Sequence, residues 1–308
     1  MTEVNSVRNS EERTLLLDSG GFVTARRLSP QARRGLTDLG LRAMDQMGYA
    51  SMSLGGIDFS LGTDYLKKAI TDRSFPLITS NLVYRESGLP FGNKYFIADA
   101  GDLKVGILGV MPADAFENMP ADSHRERLEI IPPEKALEAL IPELKKKADI
   151  LVLLSQCGFY ATNSIVDNLD GIDIAIIGGI REEEIDKIPC GADPEGKEFF
   201  SRDNKTLLMQ AGRQGESLGL ARLTLDGEGR IIQRRGEIIP VNGTVEPDER
   251  IAGITGDDMF VTIRNEREKE KEKREKEIMK EFEKLRSMTP EEFIEYSKGN
   301  PVRRAEKE

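Results

Sequence analysis

Short apolar segments alternate with helical patterns along residues 14–238. Residues 15–17 form an apolar run that meets a glycine pair, a pattern typical of a strand entering a turn. Ser29 and Pro30 then predict an N-cap followed by proline at the first helical position, and Gly48 predicts the end of that helix. The repetition of such strand, loop and helix units indicates an α/β protein.

The same reasoning predicts the remaining elements. Further strands are expected at 50–54, 75–82, 95–98, 104–110, 150–154, 172–177 and 206–210, most of them continuously apolar, as in strands buried on both faces. Further helices are expected at 63–71, at 133–147 with an interruption at Pro142, and at 163–169. A hairpin is expected from strands 218–225 and 231–239. The sequence therefore predicts a layered α/β domain with strands packed between helices.

The composition changes abruptly after this domain. Residues 264–284 alternate Glu, Lys and Arg at helical spacing, which predicts a solvated helix supported by its own charge pairs. Because its apolar seam is limited to Ile278, Met279, Phe282 and Leu285, a spacer or tail is favoured over a dedicated partner helix. Thr289 to Glu292 resemble a capping box that opens a small terminal helix. We divide the chain into a polar lead (1–13), a layered domain (14–250) and a charged helical tail (251–308).

The net charge and the hydropathy of the chain argue against nucleic-acid partners and against a membrane span. The net charge of -10 and the pI near 5.0 argue against a nucleic-acid-binding surface, which needs clustered basic residues. No apolar run is long enough to cross a bilayer, and residues 1–13 are polar where an export signal needs an apolar stretch. We therefore expect a cytoplasmic protein without a membrane span, or a periplasmic one if a longer reading frame supplies a signal.

Few side chains suit nucleophilic or metal chemistry. Cys157 and Cys190 lack the close spacing of a zinc site, although one disulfide between them stays open. Cys157 follows a predicted strand, and its only candidate base, His124, lies in a polar stretch that predicts a surface loop. We therefore interpret Cys157 as a buried structural residue.

The order of several motifs resembles the 5′-nucleotidase branch of the calcineurin-like metallophosphoesterases. Leu15-Leu-Leu-Asp-Ser-Gly-Gly-Phe22 is similar to the family segment Leu-Leu-Leu-Asp-Ala-Gly-Asp-Phe, and Leu54-Gly-Gly-Ile-Asp-Phe59 is similar to Leu-Gly-Asn-His-Glu-Phe. Leu154-Ser-Gln-Cys-Gly158 resembles Leu-Ser-His-x-Gly, and Gly178-Gly-Ile-Arg-Glu182 resembles Gly-Gly-His-x-His. The resemblance implies an α-β-β-α layered fold over about residues 14–248.

The resemblance also implies which residues would bind metal. Members of the family hold two divalent metals through Asp, Asn and His side chains at the ends of these strands, and the metals activate water on a phosphate ester. In this chain the matching positions are occupied by other residues, namely Gly21, Gly56, Ile57, Gln156, Ile180 and Glu182. Glycine and isoleucine offer no side-chain donor, so we expect no bimetal centre and no metal cofactor. The family's first strand is also expected upstream of Asp18, so either that strand is missing or the start codon is misassigned.

Two function hypotheses follow from this pattern. The leading one is a non-catalytic relative that keeps the fold and serves as a binding or scaffold module through its metal-free cleft or its charged tail, with the tail as the expected site for a protein partner. The alternative is a residual metal-dependent phosphoesterase with an altered site. Candidate binding residues of the degenerate cleft are Asp18, Asp58, Asn81, Gln156 and Arg181. Structural roles are favoured for the two aspartates, with Asp18 organising the glycine turn and Asp58 capping the segment that follows it.

Overall fold

The computed structural model describes residues 1–23, 28–71, 73–117, 119–122, 124–179, 199–202, 205–212, 215–241, 243–255 and 257–289, with Glu292 and Tyr296. In these parts of the chain two β-sheets lie face to face, and helices cover their outer sides. This is the layered α/β arrangement that the sequence predicts, and it is followed by the charged helix that the sequence also predicts.

The elements of the described chain have the following bounds. The helices are α1 (Thr2–Ser10), α2 (Pro30–Met47), α3 (Thr63–Thr71), α4 (Pro133–Leu144), α5 (Phe159–Asn168), α6 (Glu249–Thr255) and α7 (Asp257–Ser287). Two short 3-10 segments lie at Gly56–Leu61 and Arg125–Arg127. The strands are β1 (Leu17–Asp18), β2 (Ser51–Ser53), β3 (Leu77–Ile78), β4 (Leu82–Tyr84), β5 (Phe96–Ala100), β6 (Leu103–Val110), β7 (Leu128–Ile130), β8 (Ile150–Ser155), β9 (Ile174–Ile177), β10 (Phe199–Phe200), β11 (Leu207–Met209), β12 (Ser217–Leu225) and β13 (Ile231–Pro240).

The first sheet is parallel and has the order β1-β2-β3. Its outer face packs against α2 and α3 through a core that includes Leu41, Met52, Phe59 and Leu66, all buried. The apolar positions of each helix recur at the helical period and point toward the sheet. The hydrophobic effect therefore stabilises the packing of both helices on this face.

The second sheet has the order β10-β11-β9-β8-β6-β5. Strands β6, β8, β9 and β11 are parallel, and β5 and β10 are antiparallel edge strands. Helices α4 and α5 cover its outer face through buried Leu137, Leu140, Leu153 and Ile165. The long antiparallel pair β12-β13 contributes Leu223 and other half-buried residues to the core between the sheets.

The inner faces of the two sheets meet in a third core. Ile78 of the first sheet packs there with Ile107, Val152 and Ile174 of the second sheet. The sheets approach closely at Gly109 of β6, where an added Cβ would lie 2.6 Å from Ser53 Oγ of β2. The tight approach keeps the carboxyl ends of the strands of both sheets near one another.

The caps predicted for α2 are present. The Ala32 N–H donates to Ser29 Oγ at 3.2 Å, with Pro30 at the first helical position. Gly48 ends the helix with φ 69°, a left-handed conformation that glycine adopts without a Cβ penalty. The guanidinium of Arg8 in α1 donates to the carbonyls of Met47 and Gly48, which binds the last turn of α2.

Several elements differ from the sequence prediction. The segment 1–13, interpreted as a polar lead, contains helix α1, whose Val4 is buried. The strand predicted at 75–82 is divided into β3 and β4, because the backbone turns at Thr79 to Asn81 and bonds to β6 there. Pro142 does not interrupt α4, since it lies in the last turn. Helix α5 begins at Phe159, before the predicted start.

The tail contains the predicted charged helix, which follows a short helix, α6, that crosses the predicted boundary at residue 250. Helix α7 runs for 31 residues, and its described side chains are mainly exposed. The predicted capping box after it is formed: Thr289 N–H donates to the Glu292 carboxylate at 2.8 Å, and Glu292 N–H donates to Thr289 Oγ1 at 3.3 Å. None of the helices in the described part of the chain combines the length and the apolar composition needed to span a membrane.

Candidate functional site

The candidate site lies where the parallel strands of both sheets end. Asp18 is the last residue of β1, Gly55 follows β2, Gln156 follows β8, and Gly178 follows β9. Ligand sites of open α/β sheets are usually found at such carboxyl ends. The loops of the two sheets touch here, because an added Cβ at Gly178 would lie 2.6 Å from Ser19 Oγ.

Asp18 organises the turn after β1, as the sequence predicts. Its carboxylate accepts a hydrogen bond from Gly20 N–H at 2.7 Å. Gly20 has φ 96°, and an added Cβ would lie 2.6 Å from the Ser53 carbonyl oxygen, so only glycine fits this position. Burial of the carboxyl raises the pKa of Asp18, and the bond from Gly20 lowers it by less.

Asp58 is the most enclosed carboxylate of this region, with no solvent exposure. Its Oδ2 accepts from the N–H groups of Gly21 and Gly55, each at 2.8 Å, and its Oδ1 accepts from Val23 N–H at 3.0 Å. From the sequence we expect Asp58 to cap the segment that follows it; instead it binds Gly55, at the start of its own 3-10 segment, and the loop after β1. Burial raises its pKa to about 6, although the three N–H donors act in the opposite direction.

Asn81 is also fully buried, and both ends of its amide are bonded to the backbone. Its Nδ2 donates to the carbonyls of Met111 and Ile131 at 2.8 and 2.9 Å, and its Oδ1 accepts from Met111 N–H at 3.1 Å. The side chain therefore fixes the loops after β3, β6 and β7. A metal ligand at this position would have to give up those bonds.

Gln156 projects from the end of β8 into the space between three glycines and is only 7% exposed. An added Cβ at Gly21 would lie 3.5 Å from its amide, one at Gly55 would lie 2.5 Å from its Oε1, and one at Gly178 would lie 2.3 Å from its Nε2. At Gly55 and Gly178 the amide thus occupies the volume that a Cβ would need, whereas a Cβ at Gly21 would be in ordinary van der Waals contact with it. Gln156 and the loop after β1 are brought together by the fold, as the motif order predicts.

The loop after β2 also packs closely against the loop after β6. An added Cβ at Gly56 would lie 2.3 Å from the Ala115 carbonyl oxygen, which belongs to the loop after β6. Because that atom is backbone, it has little freedom to move aside. An asparagine in place of Gly56, as in the motif that this segment resembles, does not fit the observed loop.

The other candidates are distributed differently. Arg181, together with Ile180, Glu182, Cys190 and Arg213, falls outside the described residues. Cys157 is buried, and burial raises the pKa of its thiol to about 11, so it is a weak nucleophile at neutral pH. His124 is exposed in a loop, where its ring contacts Asp64 of α3.

In the strand-end loops that the structure describes, the donor set does not fit a pair of divalent metals. Within the described ranges no group of three or more His, Cys, Asp and Glu side chains is arranged to hold a metal ion. The nearby oxygen donors are already bonded: Asp18 to Gly20, Asp58 to three N–H groups and Asn81 to the backbone. A carboxylate that accepts several N–H bonds keeps few lone pairs for a metal.

A surface groove of the described chain lies elsewhere. It runs between α1 and the segment before α6 and is lined by Asn5, Asn9, Pro247 and Asp248 among others. None of its lining residues belongs to the strand-end loops. Sequence reasoning missed the role of the glycines around Gln156, because their proximity depends on contacts between loops from separate units of the chain. The only signal was the glycine enrichment of the loops.

The chain is similar to nucleotide-hydrolysing proteins over most of its length. No protein-family model matches it. It is 23% identical over 266 residues to a 2′,3′-cyclic-nucleotide 2′-phosphodiesterase/3′-nucleotidase of Salmonella typhimurium, a match that covers 77% of this chain and 41% of that protein. It is 24% identical over 260 residues to a 5′-nucleotidase of Vibrio vulnificus, covering 78% of this chain and 46% of that protein. The chain therefore spans less than half the length of these curated relatives.

Solved structures show the same fold. The sulfate thiohydrolase SoxB of Thermus thermophilus, in complex with glycerol, superposes with a TM-score of 0.68 at 20% identity, covering 82% of this chain and 44% of that chain. The calcineurin-like phosphoesterase YfkN of Bacillus subtilis superposes with a TM-score of 0.66 at 18% identity, covering 87% of this chain and 88% of that chain. The matches and the order of the strand-end motifs agree. The chain is thus similar in sequence to 5′-nucleotidases and related nucleotide-hydrolysing proteins, and it has the fold of the calcineurin-like phosphoesterases.

Proposed function

We propose that this chain is a non-catalytic member of its family that serves as a binding or scaffold module. One observation carries the proposal: Gln156, which stands where the family motif has a histidine ligand, packs its amide 3.5 Å from the position of a Cβ at Gly21, where the family motif has its bridging aspartate. A water molecule activated by two metals needs those ligands and an open site. The packed loops provide neither.

The charge state of the site agrees with this proposal. Asp18 and Asp58 are the two carboxylates next to the loops, and burial raises the pKa of each. Their oxygens accept N–H bonds from the backbone. An acid or base in hydrolysis has to reach the substrate, whereas the carboxylate of Asp58 is enclosed.

Metal titration tests the proposal directly. We expect no heat of binding when manganese or zinc is titrated into the chelator-treated protein in a calorimeter at micromolar concentrations. The 5′-nucleotidase of Vibrio vulnificus, treated in the same way, provides a positive control for its own metal and substrate requirements. Tight binding at one or two sites per chain would contradict the proposal, and so would metal-stimulated release of phosphate from a nucleotide.

We further propose that a second copy of this chain is the protein partner, held through the apolar strip of α7. The strip consists of Ile278, Met279 and Phe282, which are 56%, 56% and 61% exposed. These side chains lie on neighbouring turns of one helix, where adjacent exposed apolar groups favour contact with another helix. Residues 266–277 of the helix are all acidic or basic and largely alternate in sign, so an antiparallel copy would bring acidic and basic residues close to one another.

Sedimentation of the full chain tests this partner. We expect concentration-dependent self-association of the wild type at high micromolar concentration and a monomer for Phe282→Glu. Lys280→Glu, which changes charge on the same helix outside the strip, serves as the matched control and should associate. If the wild type stays monomeric at all protein concentrations measured, a second copy of this chain is not the partner of the strip.

A further inference from the structure

We propose that Asp58, Gln156, Gly55 and Gly178 form a brace that replaces the metal centre as the link between the two sheets. The brace concerns how the strand-end loops are held, and it stands whether or not the chain binds a partner. Its two parts are a hydrogen-bonded carboxylate and a packed amide. Both lie where the donor set fails to fit the family's metals.

The carboxylate part joins two loops of the first sheet. Asp58 belongs to the loop after β2, and it accepts N–H bonds from Gly21 and Val23 in the loop after β1. It also accepts from Gly55 in its own loop. Hydrogen bonds to an enclosed charged acceptor are stronger than neutral ones and fix geometry. A bridging metal would make the same connection through ligands on both loops.

The amide part joins the second sheet to the first. Gln156 follows β8, and its backbone N–H donates to the Val110 carbonyl of β6 at 2.9 Å, which anchors the residue in the second sheet. Its side chain reaches Gly21 and Gly55 in the first sheet and Gly178 after β9. The side chain therefore contacts loops of both sheets at once.

The amide is held from two ends. Its Oε1 faces Gly55, and its Nε2 faces Gly178. A flexible side chain can normally move away from an added methyl group. Here a shift away from Gly55 drives the amide toward Gly178, and the reverse shift drives it toward Gly55, so neither position tolerates a Cβ while Gln156 stays in place.

The identity of these two glycines follows from the contact rather than from backbone conformation. Gly55 has φ -110°, an extended conformation open to any residue, and Gly178 does not lie in the left-handed region. Gly179 and Gly56 are different: their added Cβ atoms would lie 2.0 Å from the Gln156 carbonyl oxygen and 2.3 Å from the Ala115 carbonyl oxygen. These contacts are with backbone, so they do not depend on the Gln156 side chain.

A double-mutant cycle measured by urea unfolding tests the brace. We expect Gly55→Ala to raise the unfolding equilibrium constant by about 10-fold or more in the wild type and by less than about 3-fold in the Gln156→Ala background, within the range of coupling between contacting residues. Gly178→Ala should be relieved less in that background, because its added Cβ would also lie 2.6 Å from Ser19 Oγ. Gly56→Ala is the matched control, because its clash with Ala115 should persist in both backgrounds.

Two results would overturn the brace. The first is additivity of Gly55→Ala and Gln156→Ala, which would mean that the amide swings out and joins nothing. The second is a wild-type unfolding midpoint that rises with added manganese or falls with a chelator, since the loops would then depend on a metal. If Gln156→Ala fails to fold, Gln156→Ser also removes the amide and gives a second background for the cycle.

Discussion

The strand-end brace and helix α7 both position polar side chains, but the brace does so by burial and long-range contacts, whereas α7 does so by exposed contacts along one helix. In the brace, Asp58 and Gln156 are buried and fixed by atoms from distant parts of the chain. In α7 the charged side chains are exposed and interact with neighbours one turn away, such as Lys271 and Glu275 at 4.0 Å. The difference shows that burial, not polarity, decides how much a single substitution matters.

The largest effect is expected for Asp58→Ala. Removal of the carboxylate leaves the N–H groups of Gly21, Val23 and Gly55 without an acceptor, and each unsatisfied buried donor costs about 1–3 kcal/mol. Because loss of a buried charge offsets part of this, we expect a net loss of about 4 kcal/mol in the free energy of unfolding. Chemical denaturation measures it. Asp64→Ala, which removes an exposed carboxylate on α3, is the control. Equal losses of unfolding free energy in the two variants would mean that the buried carboxylate contributes no more than a surface carboxylate.

An intermediate effect is expected from pH. The pKa of Asp58 is about 6 in the folded chain and 3.8 in the reference state, so between these values the folded state retains a proton that the unfolded chain has released. The contribution of this carboxyl to stability is therefore complete below about pH 4 and is lost as the pH rises through about 6, a change of about 3 kcal/mol.

Comparison with Asp58→Asn isolates this contribution. The free energy of unfolding of the wild type, measured relative to that of Asp58→Asn, should decrease between about pH 4 and about pH 7. α7 offers the contrast, since its exposed carboxylates should give no comparable change. A difference that moves in the opposite direction would mean that the three N–H bonds outweigh burial.

The smallest effect is expected for Phe282→Glu in the apolar strip. Its side chain is already exposed, so the free energy of unfolding of the monomer should stay within about 0.5 kcal/mol of the wild type. Thermal or urea unfolding at low protein concentration measures it. A loss comparable to that of Asp58→Ala would place Phe282 in a packed contact and erase the contrast between the two regions.

Local sequence patterns predicted most of the fold because local physics sets most of its elements. Ser29, Pro30 and Gly48 bound α2 as their capping preferences require, and the continuous apolar runs became buried strands. The failures lie where distant contacts decide. Asn81 lies between two strands and not within one, because its side chain bonds to Met111 and Ile131. Helix α1 forms although its sequence is polar.

The candidate site was predicted only in part. The motif order indicated that Asp18 and Gln156 lie at strand ends, and the structure places both there. The sequence did not indicate that Gln156 would pack against Gly55 and Gly178, because the contact joins residues from separate units of the chain. Asn81 was a candidate ligand by residue type alone, and residue type does not reveal that its amide is already bonded.

Helix α1 has a consequence for the order in which the chain is assembled. Arg8 bonds to the end of α2, about 40 residues later, but Thr2 and Asn5 bond to Glu246 and Asp248, 244 and 243 residues later. During synthesis on the ribosome the first of these contacts is available early, whereas the last ones exist only after the final hairpin has emerged. Helix α1 is therefore fully docked only after residues 246–248 have been made, so its complete docking depends on completion of the domain.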